Sequence, residues 1–220
     1  MGLEGIHHIT AITGDAPGNV DFYTRVLYAL ATLGLCAAAA VAGVWLASDG
    51  GGRAASPPRA EWAGAIRPPG ARAPGFRLRD QDGRAASMAA YRGRTVVMTF
   101  VYSTCEDTCP AQVQSIRGAL DRLGRDVPVL AVSVDPAHDT PARARRFLLE
   151  QHVTGRVRFV LGSRAELAPV WRGYGIAPQR GELDHSAYVV LVDRAGRQRV
   201  GFPAARLTPE GLASDLKRLG

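Results

Sequence analysis

Apolar residues fall along this chain in contrasting rhythms. Between Tyr28 and Ala47 twenty residues pass without a charge (YALATLGLCAAAAVAGVWLA). At 1.5 Å per residue a helix of that length measures about 30 Å, the thickness of a bilayer's hydrocarbon core. The pattern predicts one transmembrane helix over residues 28–47. The runs Thr95–Val101 and Val127–Val134 are short, rich in β-branched residues and almost uniformly apolar, as expected of strands covered on both faces. From Pro110 to Leu123 the apolar positions recur at Val113, Ile116, Leu120 and Leu123, one face of a helix. Val157–Leu161 reads as a short strand and Ser163–Tyr174 as a helix. Ala187–Val192 reads as a strand that turns through Asp193-Arg194-Ala195-Gly196 into a partner, Arg197–Phe202.

Punctuation residues set the boundaries. Asp139-Thr140-Pro141 and Thr208-Pro209-Glu210 each put a capping hydroxyl ahead of a proline at the first helical position, opening helices that run to about Gln151 and Leu219. Asp82-Gly83 predicts a turn between two short strands in Phe76–Arg84. Asp80 and Asp82 lack the spaced ligand series of a calcium loop, so they are read as turn residues. Residues 48–75 are dominated by Gly, Ala, Pro and Arg and predict a flexible linker. Residues 76–220 then form one domain: two strand–helix–strand crossings, a hairpin and a last helix, an α/β fold with a central sheet and flanking helices. That order of elements resembles the thioredoxin-like fold.

With 46% apolar residues in 220, the chain has the composition of a globular or membrane-anchored protein and not of a disordered one. Its formal charge is +7, and of its 27 basic residues only Lys217 is lysine. No basic run is interleaved with aromatics in the manner of single-stranded nucleic-acid binders. A basic domain can dock on an acidic surface. Arg25 stands before the apolar span and Arg53, Arg59 and Arg67 after it, against the positive-inside bias, though long domains translocate despite it. The expected arrangement is a single-pass anchor in the cell membrane with the C-terminal domain on its extracytoplasmic side. Cys36 follows Leu35 rather than a small residue, which fits an apolar membrane cysteine better than a lipidated one.

The remaining two of the three cysteines carry the chemistry: Cys105-Glu106-Asp107-Thr108-Cys109-Pro110, entered from a buried strand and leaving into a helix. Pro110 belongs in a first helical turn, which puts Cys109 at or beside the helix start. Unpaired amides there favour thiolate over thiol. The spacing alone permits a structural disulfide, a redox pair or a clamp for one soft ion. His185, in Asp184-His185-Ser186, is a candidate third ligand. In a thioredoxin-like fold the loop before this late strand faces the cysteine-bearing helix start. Two thiolates and an imidazole suit Cu(I), or Cu(II) in a distorted site.

Three segments in order, Phe100-Val-Tyr-Ser-Thr-Cys105-Glu-Asp-Thr-Cys109-Pro110, Ser133-Val-Asp135-Pro136-Ala-His138-Asp139-Thr140-Pro141 and Asp184-His185-Ser186, together resemble the Sco/SenC copper-chaperone family over residues 74–220. The resemblance implies a membrane-anchored thioredoxin-like domain that binds copper through Cys105, Cys109 and His185. It also implies a role in assembling the dinuclear copper centre of cytochrome c oxidase subunit II, by delivering copper or by reducing the recipient's cysteines; another copper or thiol protein is the other partner class. Glu106 stands where the family commonly has proline. Asp135 and Asp139 match the family's Asp-Pro and Asp-Thr steps; they read as a strand-end turn and helix cap or as residues of partner recognition. His138 is an auxiliary ligand or a solvated loop residue, and His152 a helix-end residue.

A rival reading makes Cys105 and Cys109 the redox pair of an extracytoplasmic thiol-disulfide oxidoreductase. A peroxidase is disfavoured because no Pro-x-x-x-Thr-x-x-Cys arrangement is present. Residues 1–27 resemble the opening strand and helix of vicinal oxygen chelate proteins, the glyoxalases and ring-cleaving dioxygenases, with His7 or His8 in the place of a metal ligand. The other ligands of that family come from later repeats, so this segment is expected to be a fusion remnant or a misjoined reading frame without activity of its own.

Overall fold

The computed structural model describes residues 20–35, 62–178 and 187–220. The chain divides into two units, Met1–Arg59 and Ala60–Gly220. In the first, residues 20–35 form helix α1, with Asp21 and Arg25 paired one turn apart at 2.8 Å. Among the described residues no helix is long and apolar enough to cross a membrane. The span expected over residues 28–47 begins in α1 and continues outside the described residues, as do most of the segment 1–27 and the linker as far as residue 61.

The second unit is built on one eight-stranded sheet, ordered β1-β8-β7-β4-β5-β6-β2-β3. Its centre is parallel: β4 (Val96–Val101), β5 (Val129–Ser133) and β6 (Val157–Leu161). The crossovers between them are α2 (Thr108–Leu123) and α3 (Pro141–Glu150). The hairpin β7 (Tyr188–Val192) and β8 (Gln198–Pro203) adds antiparallel to β4. A second hairpin, β2 (Arg77–Asp80) and β3 (Ala85–Ser87), adds antiparallel to β6. α4 (Arg164–Tyr174) and α5 (Pro209–Arg218) complete the layers.

Strand periodicity sorts the apolar residues into two cores. Val97, Val101, Ala131, Phe159 and Val189 pack with residues of α2, α3 and α5. Their neighbours Met98, Phe100, Leu130, Val160 and Val190 pack with Leu167, Val170, Trp171 and Tyr174 of α4. This explains why the central strands read as unbroken apolar runs. The expected helix starts hold as well: Thr140 and Thr208 accept hydrogen bonds from the amides of Arg143 and Gly211. Asp80 is a turn residue, its Oδ1 accepting from the amides of Asp82 and Arg84 and its Oδ2 held by Arg158 at 2.7 Å.

The structure corrects the linker boundary. Residues 62–75, expected as tether, belong to the domain: Trp62 packs against the core, and β1 (Ala65–Ile66) pairs with β8 through Ala65↔Gly201 and Ile66↔Val200. The amides of Ala63 and Gly64 donate to the two carboxylate oxygens of Asp215 on α5, each at 2.9 Å. A Cβ at Gly64 would collide with Val200 and Phe202, so glycine is what lets the chain lie this close. Two-residue strands carry no readable period, and a Gly/Pro-rich stretch conceals them. Among the described residues, all eight strands and both cores lie within Ala60–Gly220, which makes that unit a self-sufficient folding domain.

Candidate dithiol site

The site forms where β4 hands over to α2. After Val101 the chain turns, and the Cys105 amide donates to the Tyr102 carbonyl at 3.3 Å. α2 opens at Thr108, so Cys109 occupies its first turn, fully buried beside Val113 and Ile116, while Cys105 is only partly covered. Pro110 follows where its missing N–H costs nothing. Asp107 precedes the helix, but its side chain caps no amide. The Cys109 amide donates instead to Cys105 Sγ at 3.2 Å. A sulfur thus serves one of the otherwise orphaned first-turn donors.

No disulfide joins Cys105 and Cys109, and their environments push their acidities apart. The Cys109 thiol hydrogen-bonds to Cys105 and favours its ionised form; the amides of Cys109 and Asp107 and the Tyr102 hydroxyl add to this. Together they overcome burial and bring Cys105 down to about 5. Cys109 moves far upward, held protonated by the adjacent Cys105 sulfur and by burial. Tyr102 is raised to about 12 by burial and by its hydrogen bond to Cys105. At neutral pH the pair is therefore one thiolate and one thiol. The thiolate is positioned for nucleophilic attack on a disulfide, and the two sulfurs for a soft ion that displaces the Cys109 proton.

A buried carboxylate steadies this loop from below. Asp139 Oδ1 accepts from the Ser103 amide at 2.7 Å and the Ser103 hydroxyl at 2.6 Å, and Oδ2 accepts from the Ser133 hydroxyl at 2.5 Å. Burial outweighs these bonds and raises the Asp139 carboxyl above its usual range. Asp135 and His138 share the same β5–α3 loop, with His138 Nδ1 2.7 Å from Asp135 Oδ2. Gln112, buried on α2, donates to Thr99 of β4 and to the Tyr188 carbonyl of β7. Its place one turn after Cys109 on the inward face was the only sequence signal for it.

Of the expected ligands, the structure brings Cys105 and Cys109 together. His185 lies outside the described residues. The chain is described again from Ala187, and Val189 of β7 pairs with Thr99 of β4. β7 therefore starts at the end of the sheet where β4 delivers the thiols. Among the described residues no group of three or more His, Cys, Asp or Glu could hold a metal. His152 stands past the end of α3 with φ 53°, its amide donating to the Leu149 carbonyl.

Such a dithiol, at the junction of a central parallel strand and its crossover helix in a sheet of this order, defines a thioredoxin-like thiol domain. The profile of the SCO1/SenC family matches residues 65–220, and the chain belongs to that family. It is 28% identical over 145 residues to the mitochondrial protein SCO2 homolog of Bos taurus, covering 64% of this chain and 51% of that one. The chain spans about half the length of this and another curated relative it matches, the Mus musculus SCO2 homolog. Among solved structures it is similar to Bradyrhizobium japonicum ScoI with copper bound, at 33% identity and TM-score 0.58, over 68% of this chain and 100% of that one. Arabidopsis thaliana ScoI with copper bound shares the fold at 23% identity and TM-score 0.62, over 68% of this chain and 98% of that one.

Proposed function

We propose that this chain is a membrane-anchored, copper-binding chaperone that assists assembly of the dinuclear copper centre of cytochrome c oxidase subunit II, its Ala60–Gly220 domain on the extracytoplasmic side of the cell membrane. The observation that carries the reading is the split dithiol of Cys105 and Cys109 in a SCO1/SenC domain. The copper bound to the 33%-identical ScoI supports the choice of ion. The donor set fits: Cys105 Sγ is a thiolate, Cys109 Sγ would release its proton to solvent as the ion binds, and His185 would supply the imidazole. Soft sulfur donors select Cu(I). Because a proton leaves as copper arrives, affinity rises with pH through the neutral range.

Competition of the reduced protein against a Cu(I) chelator tests this. One equivalent should bind, Cys105→Ser or Cys109→Ser should abolish binding, and His185→Ala should weaken it on the order of tenfold or more. Unchanged affinity in His185→Ala would sink the three-ligand site. A second reading, a thiol-disulfide oxidoreductase, is favoured by one feature: an accessible low-pKa sulfur beside a buried thiol able to resolve a mixed disulfide. Rapid disulfide exchange without copper binding would select it.

A further inference from the structure

The domain carries its charge unevenly along the sheet. At the thiol end charge is mixed: Glu106 and Asp107 are exposed alongside Arg143, Arg164 and Arg206, and Asp135 is buried. At the opposite end, Arg92 and Arg94 lead into β4, Arg194 sits in the β7–β8 turn, and Arg72 bridges to Arg197 at the start of β8. β4 runs between the two ends, so Arg94 and Cys105 are separated by a strand about 20 Å long. Arg72, Arg92, Arg94 and Arg194 are all exposed and line one cavity of about 490 Å³ whose apolar floor includes Tyr91 and Val192. Asp193 also lines it, but its carboxylate is engaged by the amides of Ala195 and Arg197 at 2.9 Å and by Arg199 at 3.1 Å. Asp126 is the acidic residue of the adjoining concavity, which shares Arg94 and Arg194, and Arg194 donates to the Gly220 carbonyl.

β1 pairs antiparallel with β8 and runs from beside Gly201 toward Val200, so the chain heads for this basic end as it joins the sheet. Trp62 has the guanidinium groups of Arg199 and Arg218 over its ring at 5.9 and 6.0 Å, and Ile66 on the edge strand β1 is 70% exposed. An aromatic and an aliphatic residue among arginines suit the headgroup zone of a bilayer. If residues 28–47 span the membrane, the stretch from Ala47 to Trp62 reaches at most about 50 Å, which holds the domain within that distance of the bilayer.

We propose that the basic end of the domain is a docking surface for anionic phospholipid headgroups, taking a headgroup phosphate among Arg72, Arg92, Arg94 and Arg194 and turning Cys105 and Cys109 away from the membrane toward a recipient. The inference rests on the reading of residues 28–47 as a membrane span. Its test does not. The domain Ala60–Gly220 should co-sediment with vesicles of equal parts phosphatidylglycerol and phosphatidylcholine, but not with phosphatidylcholine alone. Arg92→Gln/Arg94→Gln/Arg194→Gln should weaken that partitioning about a hundredfold. Arg77→Gln/Arg146→Gln/Arg206→Gln removes the same charge from other exposed sites and should change it by no more than about threefold. Equal losses in the two triples, or no binding to the anionic vesicles, overturns the docking surface. Displacement by soluble polyglutamate as effective as by excess vesicles also overturns it, assigning the basic end to an acidic protein. The span reading fails separately, if the full chain leaves membranes on alkaline carbonate extraction.

Discussion

At the scale of single residues, the site turns on two cysteines whose chemistry differs although the sequence writes them alike. Both were legible as a functional pair; their division of labour was not. One sign was available: extending the stripe Val113, Ile116 and Leu120 back one turn reaches Cys109, which is why it is buried and why Cys105 keeps access to solvent. Iodoacetamide should therefore modify the reduced domain first at Cys105, with a rate that climbs through about pH 5 and is level by pH 7, as the value near 5 requires. Tyr102→Phe should move that midpoint upward. Equal labelling of both sulfurs with a midpoint near the free-thiol value, about 8.5, would refute the split. The sign for stability follows from the same shift. The folded Cys105 pKa lies below the unfolded one, so its contribution to the reduced fold is complete above about 8.5 and disappears as pH falls through about 5.

At the scale of elements, the helices and central strands follow from periodicity and capping, and the edges do not. Thr140 caps α3 as expected, but Asp139 beside it does something no local pattern announces, tying the Cys105 loop to the end of β5 through Ser103 and Ser133. Asp215 does the same for the incoming segment, its two oxygens holding amides more than 150 residues away in sequence. Asp215→Ala leaves the Ala63 and Gly64 amides without these partners and should lower stability by about 1–3 kcal/mol. Urea denaturation measures the loss, and hydrogen exchange should show residues 62–66 opening first. Unchanged stability would mean that β1 is held by its pairing with β8 alone.

At the scale of the whole molecule, the dithiol couples cargo to fold. Copper that binds the native pair and not the unfolded chain stabilises the domain by about 2.7 kcal/mol at a hundredfold excess over Kd. Calorimetry should show a higher Tm for the copper-loaded reduced protein and no copper response in Cys105→Ser; an equal rise in that variant would place the ion elsewhere. The order of elements, the two-sided sheet and the cysteine pair at the β4–α2 junction were determined by the sequence alone, because apolar period, caps and turns are local and each is readable within a dozen residues. Only the tertiary structure decided that residues 62–75 belong to the domain, that Cys105 and not Cys109 is the thiolate, and that Arg72, Arg92, Arg94 and Arg194 meet in one cavity opposite the thiols. Those outcomes depend on burial and on groups brought together from distant parts of the chain, and the spacing of residues along a sequence records neither.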